Sequence, residues 1–143
     1  MDDFAGVKVT VMGLGRFGGG AGVTRWLAER GADVLVTDLD PEEKLASAVA
    51  QISDLVNAGR VTLRLGGHNV SDFTTSGLVV ANPAVPMPWD NRFLRAALAA
   101  GVGVTTEIGL AIQELGRRRR TEGVDERART IGVTGTVGKS TTS

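Results

Sequence analysis

Apolar and polar residues alternate in Val7-Lys8-Val9-Thr10-Val11-Met12, the period-two pattern of a strand. Residues 21–30 then carry Val23, Trp26, Leu27 and Arg30 at helical spacing, with Gly31 as the stop. Trp26 reads as a core or helix–sheet packing residue. A second apolar run, 34–37, predicts a strand ending at Asp38. Asp40-Pro41-Glu42-Glu43 is a helix start, with Asp40 as N-cap, Pro41 in the first turn and acids facing the positive end of the dipole. Leu45, Val49, Ile52 and Val56 predict one continuous apolar helix face, closed by Gly59. Residues 61–65 predict a third strand, 72–76 a short helical turn and 78–80 a fourth strand. A helix follows over 89–100, with Phe93, Leu94, Ala97 and Leu98 inward and Gly101 as its stop. Residues 102–105 predict a fifth strand. Glu107 then opens a helix with the apolar face Ile108, Ala111, Ile112 and Leu115. Strands and helices in alternation predict an α/β fold: a Rossmann-like parallel sheet of about five strands, with helices on both faces and right-handed crossovers.

The turn between the first strand and helix is Gly13-Leu14-Gly15-Arg16-Phe17-Gly18-Gly19-Gly20. In a strand–turn–helix context, G-x-G-x-x-G has a physical meaning. Gly13 allows the tight turn, Gly15 lets backbone approach a phosphate, and Gly18 lets helix and strand pack. An anion would then meet unpaired N–H groups and the helix dipole. Asp38 ends the second strand and can accept hydrogen bonds from a ribose hydroxyl or a base edge. The alternative is a glycine turn used only for close packing. Three of the four prolines fall in Asn82-Pro83-Ala84-Val85-Pro86-Met87-Pro88, a stiff loop at the end of the fourth strand. Ligands of open α/β sheets bind at such strand ends. His68 is the sole histidine and lies in a Gly-Gly-His-Asn loop. A lone loop histidine is ordinarily solvated or a local hydrogen-bond partner; ligand contact is the other possibility.

Composition narrows the class. The chain has 143 residues, 42% apolar and 22% charged, enough for about one domain with a real core. Its formal charge is zero, which argues against nucleic acid as a partner. It has no cysteine, which excludes disulfides, thiolate metal sites and Cys nucleophiles. No apolar run approaches the roughly 20 residues that span a bilayer, so no membrane partner is expected. Met1-Asp2-Asp3-Phe4 does not resemble a secretory signal, and the cytoplasm is the expected compartment. The arginine-rich stretch after Gly116 reads as a solvated linker or helix end, since no aromatic residues are interleaved.

Near the C-terminus, Thr130-Ile131-Gly132-Val133-Thr134 predicts another strand, followed by Gly135-Thr136-Val137-Gly138-Lys139-Ser140-Thr141. This is a phosphate loop: glycines expose N–H groups, Lys139 adds positive charge and Ser140 can ligate Mg²⁺. The form T-G-T-x-G-K-[ST] resembles the ATP loop of the Mur ligases and their folylpolyglutamate synthetase relatives. The opening Gly13-Leu14-Gly15 turn, Asp38 and the Asn82–Pro86 loop resemble the same family, in its D-glutamate-adding branch. Three positions depart from the family pattern. Val137 replaces Asn, Asn-Pro-Ala replaces Ser-Pro-Gly, and Phe17 replaces a Ser or Thr whose hydroxyl helps hold a phosphate. Arg16 is the candidate substitute for that hydroxyl.

The resemblance implies a substrate-binding domain over residues 1–116, a basic linker over 117–129 and the start of an ATP-binding domain over 130–143. It implies UDP-N-acetylmuramoyl-L-alanine as the bound substrate. Leu14, Gly15, Arg16 and Phe17 would lie at its pyrophosphate, Asp38 and Leu39 at uracil or ribose, and Asn82, Pro83 and Ala84 near the sugar phosphates. In a complete enzyme, Gly135, Thr136, Gly138, Lys139, Ser140 and Thr141 would serve ATP, Ser140 would serve Mg²⁺, and D-glutamate would be the second substrate. The chain stops shortly after the phosphate loop, so it is expected to be inactive alone and to hold no cofactor. Two other readings remain: an NAD-binding domain of an oxidoreductase, and a nucleotide-binding module without catalysis.

Overall fold

The computed structural model describes residues 3–121, with side chains through Arg117. The rest of the basic stretch and the expected strand and phosphate loop at 130–143 lie outside the described residues. The chain divides into two compact units between Leu110 and Ala111. In the first, β1 (Lys8–Met12), β2 (Asp33–Asp38), β3 (Val61–Leu65), β4 (Leu78–Ala81) and β5 (Gly103–Thr106) form one sheet. The order is β3-β2-β1-β4-β5, and every neighbouring pair is parallel. The connecting helices are α1 (Gly19–Glu29), α2 (Glu42–Ala50), α3 (Ser53–Asn57), α4 (Val70–Thr74) and α5 (Arg92–Ala99). Helix α6 spans Glu107–Thr121, so its start lies in the first unit and residues 117–121 are helical. The expected α/β fold, with about five parallel strands and helices on both faces, is the fold observed.

The centre of a parallel sheet is buried on both faces, which is why β1 is nearly all apolar. Val9 and Val11 point into one cluster with Leu27 of α1, Leu45 of α2 and Val34 and Val36 of β2. Met12 points the other way, to Phe73 of α4, Leu94 and Ala97 of α5 and Val79 of β4. Thr10 shares that second face and is fully buried. It escapes the cost of an unpaired hydroxyl by bonding the Asp72 carbonyl at 2.7 Å and Ser76 Oγ at 2.6 Å. Trp26 packs at the edge of the first cluster, edge-on to Phe4 at 5.7 Å and beneath the Arg30 guanidinium.

Local chemistry moved several element boundaries. The single helix expected through Val56 is two, α2 and α3. The Gln51 carbonyl at the break is taken by Arg25 at 2.7 Å, and Ser53 Oγ donates to the Ala50 carbonyl at 3.0 Å. Asp40 is not the N-cap of α2. Pro41 holds that position without a side-chain bond, and the Asp40 carboxylate pairs instead with Arg16 at 2.9 Å and Lys44 at 3.7 Å. The helix expected from residue 89 starts at Arg92, after a 3-10 turn over Pro88–Asp90. Asn91 sets that start, its Oδ1 accepting from the Phe93 and Leu94 amides. Leu98 is exposed rather than inward. The buried stripe of α5 runs through Leu94 and Ala97; Leu98 lies about 100° round the helix from Ala97, at the margin of that stripe beyond Leu94. The expected apolar face of α6 is exposed at Ile108, Ile112 and Leu115, while Leu110 is buried. Leu110 points about 200° away from Ile108, so only one side of the helix start can reach the core.

Gly20, not Gly18, provides the close packing of α1 on β1. A Cβ on Gly20 would lie 2.4 Å from the Gly13 carbonyl oxygen and 2.7 Å from Leu14 Cα, both backbone atoms that cannot swing aside. Gly18 faces only the movable end of Gln51. Gly20→Ala is therefore expected to cost about 2–3 kcal/mol in urea unfolding. Gly22→Ala, on the same helix but 3.9 Å from its nearest neighbour, should gain about 0.5–1 kcal/mol. Equal stability of the two variants would contradict this packing.

Candidate functional site

β1 is followed in space by β2 on one side and β4 on the other, so the chain reverses its winding there. The loops after β1 and β4 diverge and leave a crevice at the carboxyl ends of the strands. A cavity of about 300 Å³ occupies this place. Its walls include Gly13 and Gly15 of the glycine turn, Asp38 and Leu39 after β2, His68 after β3 and Asn82 after β4. Val85, Pro86 and Phe93 close the α5 side.

The glycine turn is held by Asp38. Its Oδ2 accepts from the Leu14 amide at 2.9 Å and the Gly15 amide at 3.1 Å, and its Oδ1 from the Asp40 amide at 2.9 Å. A carboxylate offers about four lone-pair sites. Three are thus used within the protein, and the turn after β1 is tied to the turn after β2. Asn82 clamps the other side. Its Nδ2 donates to the Gly13 carbonyl at 3.3 Å and its Oδ1 accepts from the Ala84 amide at 2.9 Å. Gly13 has φ 96° and lies so close to Asn82 that a Cβ there would come within 2.8 Å of the Asn82 Cβ. Past the glycines, the amides of Gly18, Gly20 and Ala21 bond carbonyls within the turn. Those of Arg16, Phe17 and Gly19 have no protein acceptor among the described residues and remain for an anion at the start of α1.

The residues singled out in the sequence separate into groups. Gly15, Asp38, Leu39, Asn82 and Ala84 line one cavity. The Leu14 side chain is fully buried in the core, leaving only its backbone at the site, and that amide belongs to Asp38. Pro83 is exposed outside the lining. Phe17 is wholly exposed. Arg16, the proposed stand-in for a phosphate-binding hydroxyl, is committed to Asp40 through Nε and Nη2. That contact holds the Asp40 carboxyl below the usual carboxylate range. Residues 135–141 lie outside the described residues.

Three lining residues had other readings in the sequence. Asp40 read as an N-cap, Phe93 as core, and Asn91 had no role although Asn before an apolar run is a cap signal. His68 is neither solvated nor free. It is half-buried, its Nδ1 is 2.8 Å from Thr37 Oγ1, and it meets Phe73 and Phe93 edge-on. Partial burial lowers its pKa, against the opposing pull of Asp38 and Asp72.

The class so defined is a doubly wound α/β domain with its cleft at the switch point. The chain belongs to the Mur ligase family: the family model of the Mur ligase MurD-like N-terminal domain matches residues 7–106. A protein of Roseiflexus sp. (strain RS-1) named UDP-N-acetylmuramoylalanine–D-glutamate ligase is 40% identical over 139 residues, covering 97% of this chain and 26% of that protein. One of the same name from Anaeromyxobacter dehalogenans (strain 2CP-C) is 40% identical over 141 residues, covering 99% and 26%. The chain thus spans about a quarter of the length of the curated relatives it matches. Among solved structures, a pseudomurein peptide ligase type C from Methanothermus fervidus matches with a TM-score of 0.53 and 22% identity, over 95% of this chain and 24% of that one. A quinate dehydrogenase from Corynebacterium glutamicum, solved in complex with NAD, matches with a TM-score of 0.51 and 21% identity, over 84% and 51%. Both likenesses concern the fold alone. The resemblance to the Mur ligases seen in the motifs is borne out.

Two measurements check this geometry. Asp38→Ala leaves the Leu14, Gly15 and Asp40 amides to water and should cost about 2 kcal/mol. Hydrogen exchange at Leu14 and Gly15 should quicken while that at Val11 stays slow. His68 should titrate below its ordinary value of 6.5. Because the unfolded chain then takes up the proton first, stability is complete above the unfolded pKa and falls as pH drops toward the folded pKa. An NMR titration of the imidazole, with urea unfolding of the wild type and His68→Phe across the same range, reads both effects. The variant should lose this part of the pH dependence.

Proposed function

We propose that this chain is the N-terminal, substrate-binding domain of an ATP-dependent acid–amino acid ligase of peptidoglycan precursor synthesis. In this reading it holds the UDP end of UDP-N-acetylmuramoyl-L-alanine while the complete enzyme joins D-glutamate to the alanyl carboxylate. Family membership supports the class, and the names of the relatives support the substrates. The observation that carries the reading is the polarity of the cleft and its edge. The amides of Arg16, Phe17 and Gly19, beside the cavity, are open to an anion, and the cavity itself presents Asp38 and His68 to hydrogen-bond donors. A nucleoside diphosphate has that polarity, with anionic oxygens at one end and N–H and O–H groups at the other. The cavity volume also falls within the range of ligand sites.

The chemistry proposed for the complete enzyme is ordinary amide formation through an activated acid. The alanyl carboxylate takes the γ-phosphoryl group of ATP, releasing ADP. The D-glutamate amine then attacks the acyl carbon, forming the amide and expelling phosphate. Gly135, Thr136, Gly138, Lys139, Ser140 and Thr141 are proposed for ATP and Ser140 for Mg²⁺. The cytoplasm is the proposed compartment; among the described residues no helix is long and apolar enough to cross a membrane.

Isothermal titration of this chain with UDP-N-acetylmuramoyl-L-alanine, with NAD as comparison, tests the reading. Saturable binding of the UDP-sugar, at least tenfold weaker in Asn82→Ala and absent for NAD, is the expected result. Binding of NAD without a response to the UDP-sugar would replace it with the oxidoreductase reading.

A further inference from the structure

Thr37, fully buried on β2, sits against the inner ring nitrogen of His68. Its Oγ1 lies 3.1 Å from the Gly67 carbonyl oxygen and 2.8 Å from His68 Nδ1. A hydroxyl carries one hydrogen, and a carbonyl oxygen can only accept. Both contacts are hydrogen bonds at once only when Thr37 donates to the Gly67 carbonyl. The contact to His68 is then a hydrogen bond only when Nδ1–H donates to Oγ1. In the neutral ring this leaves Nε2 bare, with its lone pair free to accept. Phe73 and Phe93, themselves 5.3 Å apart, pack edge-on against the ring together, at centroid distances of 5.8 and 5.1 Å. Nε2 has no partner among the described residues and is not sealed from solvent, and His68 lines the cleft. The charges facing the ring are the carboxylates of Asp38 and Asp72, and Asp72 is itself paired with Arg64 at 2.5 Å. Asp38 has most of its accepting capacity spent on three backbone amides.

We propose that His68 is a specificity-determining residue of the cleft, whose bare Nε2 accepts a hydrogen bond from a donor at the nucleoside end of the ligand. The donor is an imide N–H of uracil or a ribose hydroxyl. The proposal rests on the nucleotide reading above and deepens it. A base without an N–H at that position, or a sugar without the hydroxyl, would leave the lone pair facing nothing. The neutral ring accepts this bond; the protonated ring cannot.

The test measures the affinity of the whole chain for UDP, N3-methyl-UDP, 2′-deoxy-UDP and 3′-deoxy-UDP at pH 8, in the wild type and in His68→Phe. Phenylalanine keeps the aromatic contacts, and Thr37 keeps Gly67 as its acceptor. The wild type is expected to bind one of the three analogues roughly tenfold more weakly than UDP, the effect of one lost hydrogen bond. His68→Phe should bind UDP and that analogue equally. Equal binding of all four ligands by the wild type, or discrimination that survives in His68→Phe, would overturn the proposal and leave the nucleotide reading standing. No binding of UDP by the wild type would sink that reading and this one with it. A second measurement needs no variant: the ¹⁵N shifts of His68 at pH 8 should report the Nδ1–H tautomer, with the Nε2 resonance moving when UDP is added. An Nε2–H tautomer would overturn the proposal.

Discussion

One carboxylate holds the working end of this domain in shape. Asp38 lies at the end of β2 and accepts three backbone amides, two from the glycine turn after β1 and one from the turn that follows its own strand. Without it, the turn would have to find water for amides that point into the sheet's carboxyl end. With it, adjacent loops become one rigid lip. Bonds from N–H groups to a charged acceptor are stronger than neutral ones. The acid that the motif marks as a ligand contact is therefore first a fastener of the loop. Whatever enters the cleft meets a turn already in place, so less ordering has to be paid for on binding.

The rest of the architecture makes that fastening possible. Parallel register brings Met12 beside Thr37 on one side and Ala81 on the other, so the strand ends and their loops lie at one level. Backbone bonds carry the pairing beyond the strands, from the Gly13 amide to the Thr37 carbonyl and from the Asn82 amide to the Met12 carbonyl. Gly20 lets α1 start almost in contact with β1, which places its first turn over the crevice. Thr37, pointing to the α4 side, reaches Gly67 and His68 and ties the loop after β3 to the same edge. Each of these links depends on a backbone position set by the sheet.

The sheet was legible because its physics is local. Short apolar runs between glycines and a helical period read directly as strands and helices, and their alternation pointed to parallel pairing, whereas the strand order came only from the structure. What escaped was contact between distant segments. Arg25 reaching Gln51 split a helix whose apolar spacing looked continuous. Asp40 has every property of an N-cap, yet Arg16 lies nearer to its carboxylate than any amide it would cap. Four consecutive candidates in the glycine turn looked alike. Burial sends Leu14 to the core, while Phe17 stands fully in solvent. His68 was ambiguous because its meaning lies in Thr37, Phe73 and Phe93, none of which is its neighbour in sequence.

Electrostatics gives the cleft a direction. Arg16 and Lys44 both rest on Asp40, whose single charge offsets one of theirs. The helix dipole and the amides of Arg16, Phe17 and Gly19 add positive potential at the start of α1. The cavity beside them is lined by Asp38, Asp40 and His68. The Phe17 side chain adds nothing to this polarity: it stands fully in solvent, and the amides belong to the backbone, which no substitution at that side chain removes.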